Sequence, residues 1–280
     1  MRALLARRHH AAMTTKTQPP TGTLILAENL SKSYKVGQTT IDVLYDVTFP
    51  VSAGETCAIM GPSGSGKSTL LYCLAGLESP TAGGVTLLGR QLSGRTRKEL
   101  AELRRRELGF VFQSYNLMPT LSVFENVALP FRLRGERPDR NAIEAVLEAV
   151  GLGGRSAAMP PSMSGGEQQR VAISRVLAQR PQIVFADEPT GALDSHSGKM
   201  VLNELQRIGS QPGQCVLIVT HDPTVAATCD RVVFMRDGRL IDQLIRPSTE
   251  AVAAHLAALE TRGAGALTQP PAEEAAAAVA

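Results

Sequence analysis

Residues 61–68 read Gly61-Pro62-Ser63-Gly64-Ser65-Gly66-Lys67-Ser68, match the pattern G-x-x-x-x-G-K-[ST], and run on into Thr69. Glycines at these positions let backbone wrap around a polyphosphate and turn its N–H groups inward, and a helix starting at the lysine adds a favourable dipole for the anion. Lys67 supplies a mobile point charge for the terminal phosphates. The Ser68 hydroxyl is a hard oxygen donor of the kind Mg²⁺ accepts. The alternative, a Gly/Ser surface turn, does not account for the flanks. An apolar run, 57–60, precedes the pattern and a helical run, 67–77, follows it.

A second chemical pair stands at the end of another apolar run. Residues 183–186 (IVFA) lead into Asp187-Glu188. Successive residues of a strand point to opposite sides, so two adjacent carboxylates at a strand end serve different targets. Asp187 is expected to hold Mg²⁺ and Glu188 to orient or deprotonate a water that attacks phosphorus. Alone, the pair reads equally as two solvated acids; the phosphate loop gives it a task.

The elements that must position these groups alternate strand and helix. Residues 24–30, 39–44 and 55–60 read as strands punctuated by Gly37 and Gly54, which suggests an antiparallel layer. Residues 141–150 place Ile143, Val146, Leu147 and Val150 on one helical face, with Gly151 as the stop. Residues 165–179 form a helix ended by Pro181. The all-apolar runs 183–186 and 216–219 suit strands buried on both faces of a parallel sheet. Residues 231–235 and 240–245, joined at Asp237-Gly238, read as a hairpin. Residues 1–22 and 263–280 have the composition of tails, with helical spacing over 249–261 between the core and the second of them.

Composition narrows the class. Of the 280 residues, 43% are hydrophobic, and no run approaches a membrane-spanning length. A net charge of +3, no Trp and 4% aromatics argue against a nucleic-acid partner. Cys57, Cys73, Cys215 and Cys229 lie far apart without a CxxC pair, which excludes a zinc finger or a disulfide scaffold and predicts buried free thiols. Arg104-Arg105-Arg106 reads as a solvated helix face or a site near lipid headgroups.

Narrower residues come from Ser164-Gly165-Gly166-Glu167-Gln168-Gln169-Arg170. Ser164 and Glu167 have the spacing of a capping box, yet two glycines in a first helical turn lower propensity and leave room for a ligand to approach. Together with Gln113, His221 and the turn Ala192-Leu193-Asp194, this segment resembles the ATP-binding cassette family, the ATPase subunits of ABC transporters. The resemblance spans about residues 24–245. The wording FVFQSYNLMPTLSVFENVALP, SGGEQQRVAISRVLA and ADEPTGALDS is similar to the macrolide-export and lipoprotein-release subgroup, the MacB-, LolD- and FtsE-like ATPases. Met163 departs from the usual Leu, a swap that conserves apolar volume. Glu167 replaces the widespread Gln, and Gly191 a frequent Ser.

The resemblance implies an α/β fold: a RecA-like P-loop NTPase core with an N-terminal antiparallel β layer and a helical insertion subdomain at about 95–175, within an ATP-binding domain at 23–246. It implies ATP and Mg²⁺ as ligands. It also implies that Ser164, Gly165, Gly166 and Glu167 face the γ-phosphate held by a second protomer, in a homodimer or with a paired ATPase subunit. Gln113 would reach Mg²⁺ and the water, and His221 the γ-phosphate. Asp194 would link the two sites. Tyr34 falls where the family places a ring against adenine, or else packs in an edge strand. Residues 114–131 are apolar for a connection, part of them core and part a groove for a helix of a membrane partner. That partner is a separately encoded FtsX/MacB-like permease, which puts this chain at the cytoplasmic face of the membrane. Export or mechanotransmission is the expected role. An FtsE-like regulator of cell-wall enzymes and an amino-acid importer are the alternatives.

Overall fold

A computed structural model describes residues 22–264, and the tails expected at 1–22 and 263–280 lie outside it except for Gly22, Gly263 and Ala264. The elements run β1 (Thr23–Val36), β2 (Thr39–Ser52), β3 (Glu55–Met60), α1 (Lys67–Leu74), β4 (Ala82–Leu87), β5 (Arg90–Gln91), α2 (Arg97–Glu107) and β6 (Leu108–Val111). They continue through α3 (Val123–Leu133), α4 (Arg140–Ala149), α5 (Gly165–Gln179), β7 (Ile183–Asp187), α6 (Ser195–Gly209), β8 (Cys215–Val219), α7 (Pro223–Ala226), β9 (Arg231–Arg236), β10 (Arg239–Ile245) and α8 (Thr249–Ala264). The fold is α/β, with an antiparallel β layer beside a mostly parallel sheet.

Two sheets carry the molecule. One has the order β2-β1-β4-β5 and is antiparallel. The other has the order β10-β9-β3-β8-β7-β6, with every pair parallel except the β9–β10 hairpin. Alternation along the parallel strands divides the core in two. Ala58, Met60, Val184, Ala186, Val216, Ile218, Val232 and Phe234 enter a cluster shared with α3 to α8. Cys57, Ile59, Ile183, Phe185, Cys215, Leu217, Val219, Val233 and Met235 enter a second cluster with α1 and the antiparallel sheet. Each fully buried Val, Leu or Ile contributes about 1.5–3 kcal/mol, which is why near-continuous apolar strands settle in the middle layer.

That division corrects one expectation. Residues 55–60 were assigned to the antiparallel layer, but β3 lies between β8 and β9 in the parallel sheet. Thr56 to Met60 are all buried and feed both cores, a demand that a one-sided antiparallel layer cannot meet. The first helix is also shorter than 67–77, because Ala75 caps it and Gly76 turns left-handed at φ 63°. The three arginines after Leu103 are not a free basic face. Arg104 donates to the Gly76 carbonyl at 2.8 Å, while Arg105 and Arg106 pair with Glu102. Within 95–175, α2, α3, α4 and α5 are helices, and β6 is the edge strand of the parallel sheet.

All four cysteines are buried and unpaired. Burial pushes the Cys73 thiol up to about 11 and Cys229 to about 12, and raises Cys57 and Cys215 as well. A thiol reagent at pH 8 is therefore expected to label none of these four in the native protein and all of them after denaturation. Rapid native labelling of any one would contradict this packing.

Candidate nucleotide site

The register of the parallel sheet gathers the chemical residues at one edge. Ile59 pairs with Val219, Asp187 with Val219 and Val111 with Ala186. The segments just beyond β3, β6, β7 and β8 therefore emerge together, and they carry Gly61, Gln113, Glu188 and His221. Crevices outside the carboxyl ends of parallel strands are where open α/β sheets bind ligands.

The 61–68 turn is built on glycine for steric reasons. A Cβ on Gly61 would run into the Met235 carbonyl. Gly66, at φ 97°, caps α1, and a Cβ there would press on Leu44 and the Val43 carbonyl. Pro62, Ser63, Gly64 and Ser65 complete the turn, and the buried Ser65 Oγ has no hydrogen-bond partner among the described residues, an orphaned polar atom inside a phosphate-shaped loop. Lys67 curls over the turn and donates to the carbonyls of Gly61 and Pro62, both at 2.8 Å. Burial lowers its proton affinity, and the carboxylates of Glu188 and Asp187 oppose that shift.

Asp187 and Glu188 diverge, Asp187 as the last residue of β7 and Glu188 just beyond the strand. Asp187, 5% exposed, turns to α1: Ser68 Oγ donates to Oδ1 at 3.4 Å and Tyr72 Oη to Oδ2 at 3.3 Å. Burial raises its carboxyl above the usual range, and the two hydroxyls pull it back. Glu188 adopts φ 49°, a left-handed conformation rare outside glycine, while its N–H donates to the Val219 carbonyl at 2.9 Å. Its carboxylate swings to the end of β8. There His221 Nδ1 lies 2.7 Å from Oε1, and Thr220 Oγ1 donates to Oε2 at 3.3 Å. Gln113 is exposed beside this edge, and among the described residues no hydrogen bond joins it to either acid.

Ser68 and Asp187 present a hydroxyl and a carboxylate side by side, hard oxygen donors that suit Mg²⁺. Among the described residues no group of three or more His, Cys, Asp or Glu could hold a metal unaided. This fits a cation that takes one or two protein oxygens and completes its shell with phosphate and water.

Tyr34 stands apart from the strand ends, on β1. There β1 pairs with β2 alone, Tyr34 opposite Ile41, because its pairing with β4 ends at Ser31, so the strand is locally an edge at this ring. Its phenol bonds to Glu78, and Lys32 Nζ sits 4.7 Å from the ring centroid and 3.2 Å from Glu78. Burial and the Glu78 bond push the phenol up to about 12, against an opposing bond from Thr69 in the phosphate-loop helix. The ring is thus anchored beside the start of α1.

The Ser164 tip is a complete capping box: the Ser164 hydroxyl accepts from the Glu167 N–H at 3.3 Å, and the Glu167 carboxylate accepts from the Ser164 N–H at 2.8 Å. That backbone bond foremost holds the Glu167 carboxyl below its usual range. Ser164 and Gly165 are exposed, and no hydrogen bond joins this tip to residues 61–69 of the same chain among the described residues. The tip leans instead on the 189–194 turn. Gly166 fits under the Ala192 carbonyl, where a Cβ would lie 3.2 Å away. Gln169, 1% exposed, donates to the Pro189 carbonyl at 2.9 Å, and Arg170 donates to Ser197 Oγ at 2.9 Å. Asp194 caps α6, accepting from the N–H groups of His196 and Ser197 at 3.0 Å. These bonds, that of Ser197 first, hold its carboxyl down to about 2.

Sequence reasoning missed Gln169, Thr220 and Tyr72. A polar residue on the buried face of α5, a hydroxyl next to His221 and an (i, i+4) hydroxyl after Ser68 were the signals available for them.

Known proteins carry the same architecture. A family described as "ABC transporter" matches residues 44–191. The chain is 46% identical over 227 residues to the lipoprotein-releasing system ATP-binding protein LolD of Bordetella pertussis, covering 80% of this chain and 98% of that protein. It is 43% identical over 226 residues to the uncharacterized ABC transporter ATP-binding protein YbbA of Escherichia coli K12, covering 80% and 99%. Among solved structures, a dimeric ATP-binding cassette in a post-hydrolysis state bound to ADP and Pi superposes with a TM-score of 0.76 at 38% identity, covering 80% of this chain and all of that one.

Proposed function

Because this chain belongs to the ABC transporter family and is an ATPase subunit of it, we propose that it pairs face to face on ATP and thereby drives a separately encoded membrane permease, in export or in transmission of force across the membrane. One observation carries the reading. The hydrolytic groups meet at one sheet edge, while a glycine-opened helix tip lies exposed, with no hydrogen bond to that edge among the described residues, which leaves it free to complete the site of a second copy.

In this reading residues 23–246 form the ATP-binding unit, with 95–175 carrying the tip and the partner-facing segment. The backbone of Gly61 to Ser68 and Thr69 cradles the phosphates, and Lys67 gives up its two carbonyls for phosphate oxygens. Tyr34 offers a ring to the base. Ser68 and Asp187 would hold Mg²⁺, with Gln113 reaching the same cation; when bound, the metal neutralises charge developing on the transferred phosphoryl group. Glu188 takes the proton of the attacking water, and His221 fixes the carboxylate that does so. Ser164, Gly165, Gly166 and Glu167 of the twin close over the γ-phosphate with helix-start N–H groups, and Asp194 joins this tip to its own acid pair. ATP favours the closed pair because it binds that state better than the open one.

The permease surface is the segment after Gln113. Met118 is 48% exposed, a large apolar side chain left at the surface. The buried Asn126 accepts from the Met118 N–H at 2.8 Å and donates to the carbonyls of Met118, Leu121 and Ser122, which ties the segment to the start of α3. Similarity to a lipoprotein-releasing ATPase favours an FtsX/MacB-like permease and a place at the cytoplasmic membrane face.

Ser164→Arg tests the composite site. The bulky cation at the tip is expected to cut turnover about tenfold or more, as loss of a transition-state donor does, while the isolated subunit binds ATP as before. Full activity together with the permease would reduce the tip to a helix cap.

A further inference from the structure

We propose that Tyr72 is a positioning residue for the metal-holding carboxylate: its phenol anchors Oδ2 of Asp187, so that Oδ1 is the oxygen presented to Ser68 and to the cation those two residues share. This rests on the reading of Asp187 as the carboxylate that holds the divalent cation.

Ser68 and Tyr72 are one helical turn apart on α1, a spacing that puts two side chains on the same face. That face is turned to the end of β7, and each hydroxyl takes a different oxygen of the same carboxyl, Ser68 at 3.4 Å and Tyr72 at 3.3 Å. An unanchored carboxylate turns about its last torsion in a broad well, so the direction in which its oxygen meets a cation is left loose. The Tyr72 ring packs half-buried against the core cluster that holds α1, and with only two side-chain torsions it delivers its hydroxyl to a fixed place. The Ser68 hydroxyl has one proton to donate and gives it to Oδ1, so Oδ2 is held by Tyr72. Orientation of a metal ligand by a neighbour's hydrogen bond is a general means of tuning affinity.

Tyr72→Phe removes one oxygen and keeps the ring. The reading is Mn²⁺ binding to the ADP-loaded protein by electron paramagnetic resonance, with ADP affinity in EDTA and the melting temperature measured alongside. Mn²⁺ affinity is expected to fall about 10- to 100-fold, the range for losing a hydrogen bond that orients a charged metal ligand, with ADP affinity in EDTA unchanged. The Mg²⁺ concentration for half-maximal turnover should rise likewise, with turnover at saturating Mg²⁺ kept. Asp187→Asn separates the two layers of the argument. Weakened Mn²⁺ in Asp187→Asn but parental Mn²⁺ affinity in Tyr72→Phe overturns the role of Tyr72. Parental Mn²⁺ affinity in both overturns the metal reading beneath it.

Discussion

Glu188→Gln is expected to cut ATP turnover by about 100-fold or more, the contribution of a positioned general base, while ATP affinity stays near the parent's. The amide has the size of the carboxyl and can still meet His221 Nδ1 and Thr220 Oγ1, which hold the parent side chain at 2.7 and 3.3 Å. What it loses is the capacity to take a proton and one negative charge beside the γ-phosphate. Both losses act in one direction. Hydrolysis stalls, repulsion between the acid and the triphosphate falls, and the ATP-loaded pair accumulates. The check is steady-state phosphate release, equilibrium nucleotide binding and light scattering of the same preparation. Turnover retained within about threefold, less than any general base supplies, would remove Glu188 from its role.

Lys67→Ala is expected to strike binding itself. A charge-assisted hydrogen bond contributes about 1.5–3 kcal/mol, so ATP affinity should fall roughly 10- to 100-fold. The ammonium lies 2.8 Å from the carbonyls of both Gly61 and Pro62. Removing it also leaves two acceptors of the turn without their donor, and a lower melting temperature of the free protein should accompany the loss. Isothermal titration with ATP and with ADP separates these effects: a lysine aimed at the terminal phosphates weakens ATP more than ADP, whereas a merely loosened turn weakens both alike. Unchanged ATP affinity would count against the phosphate-loop assignment.

The contrast between the two substitutions follows from where each side chain stands. Lys67 belongs to the turn that holds ground-state phosphate, so its loss appears before chemistry begins. Glu188 faces the end of β8 rather than the turn, so its loss appears only in the step that moves a proton.

Much of this arrangement was legible in the sequence because local rules decide it. The bounds of α5 follow from a capping box at Ser164 and from Pro181 beyond its end, and both signals are short-range. The β9–β10 turn follows from Asp237-Gly238, whose φ values of 48° and 73° are the left-handed pair such a hairpin needs. That Asp187 and Glu188 part is expected from strand alternation, although β7 ends at Asp187 and the left-handed turn at Glu188 is what sends its carboxylate to the end of β8.

What stayed hidden depends on partners far along the chain. Residues 55–60 sit just after a turn glycine, and nearby cues joined them to the strands before it. The strands that claim them, β8 and β9, begin at Cys215 and Arg231. The apolar run 57–60 was nonetheless of the same kind as 183–186, and that likeness was the available clue. Tyr72 does not stand out in an apolar helix, where an aromatic usually packs in a core; only the placement of β7 against α1 gives its hydroxyl a partner. The left-handed Glu188 has no sequence signature, because glutamate rarely takes that conformation.

Two copies clamping one triphosphate from opposite sides is the idea on which all these expectations depend, and imaging the Glu188→Gln protein with ATP and Mg²⁺ at atomic detail tests it most directly. The outcome that agrees has the γ-phosphoryl group lodged in the Gly61–Ser68 turn of one copy and hydrogen-bonded to Ser164 and the first N–H groups of α5 in the other. The outcome that contradicts it is a triphosphate held by a single chain, with the Ser164 tip of every neighbouring copy remote from it.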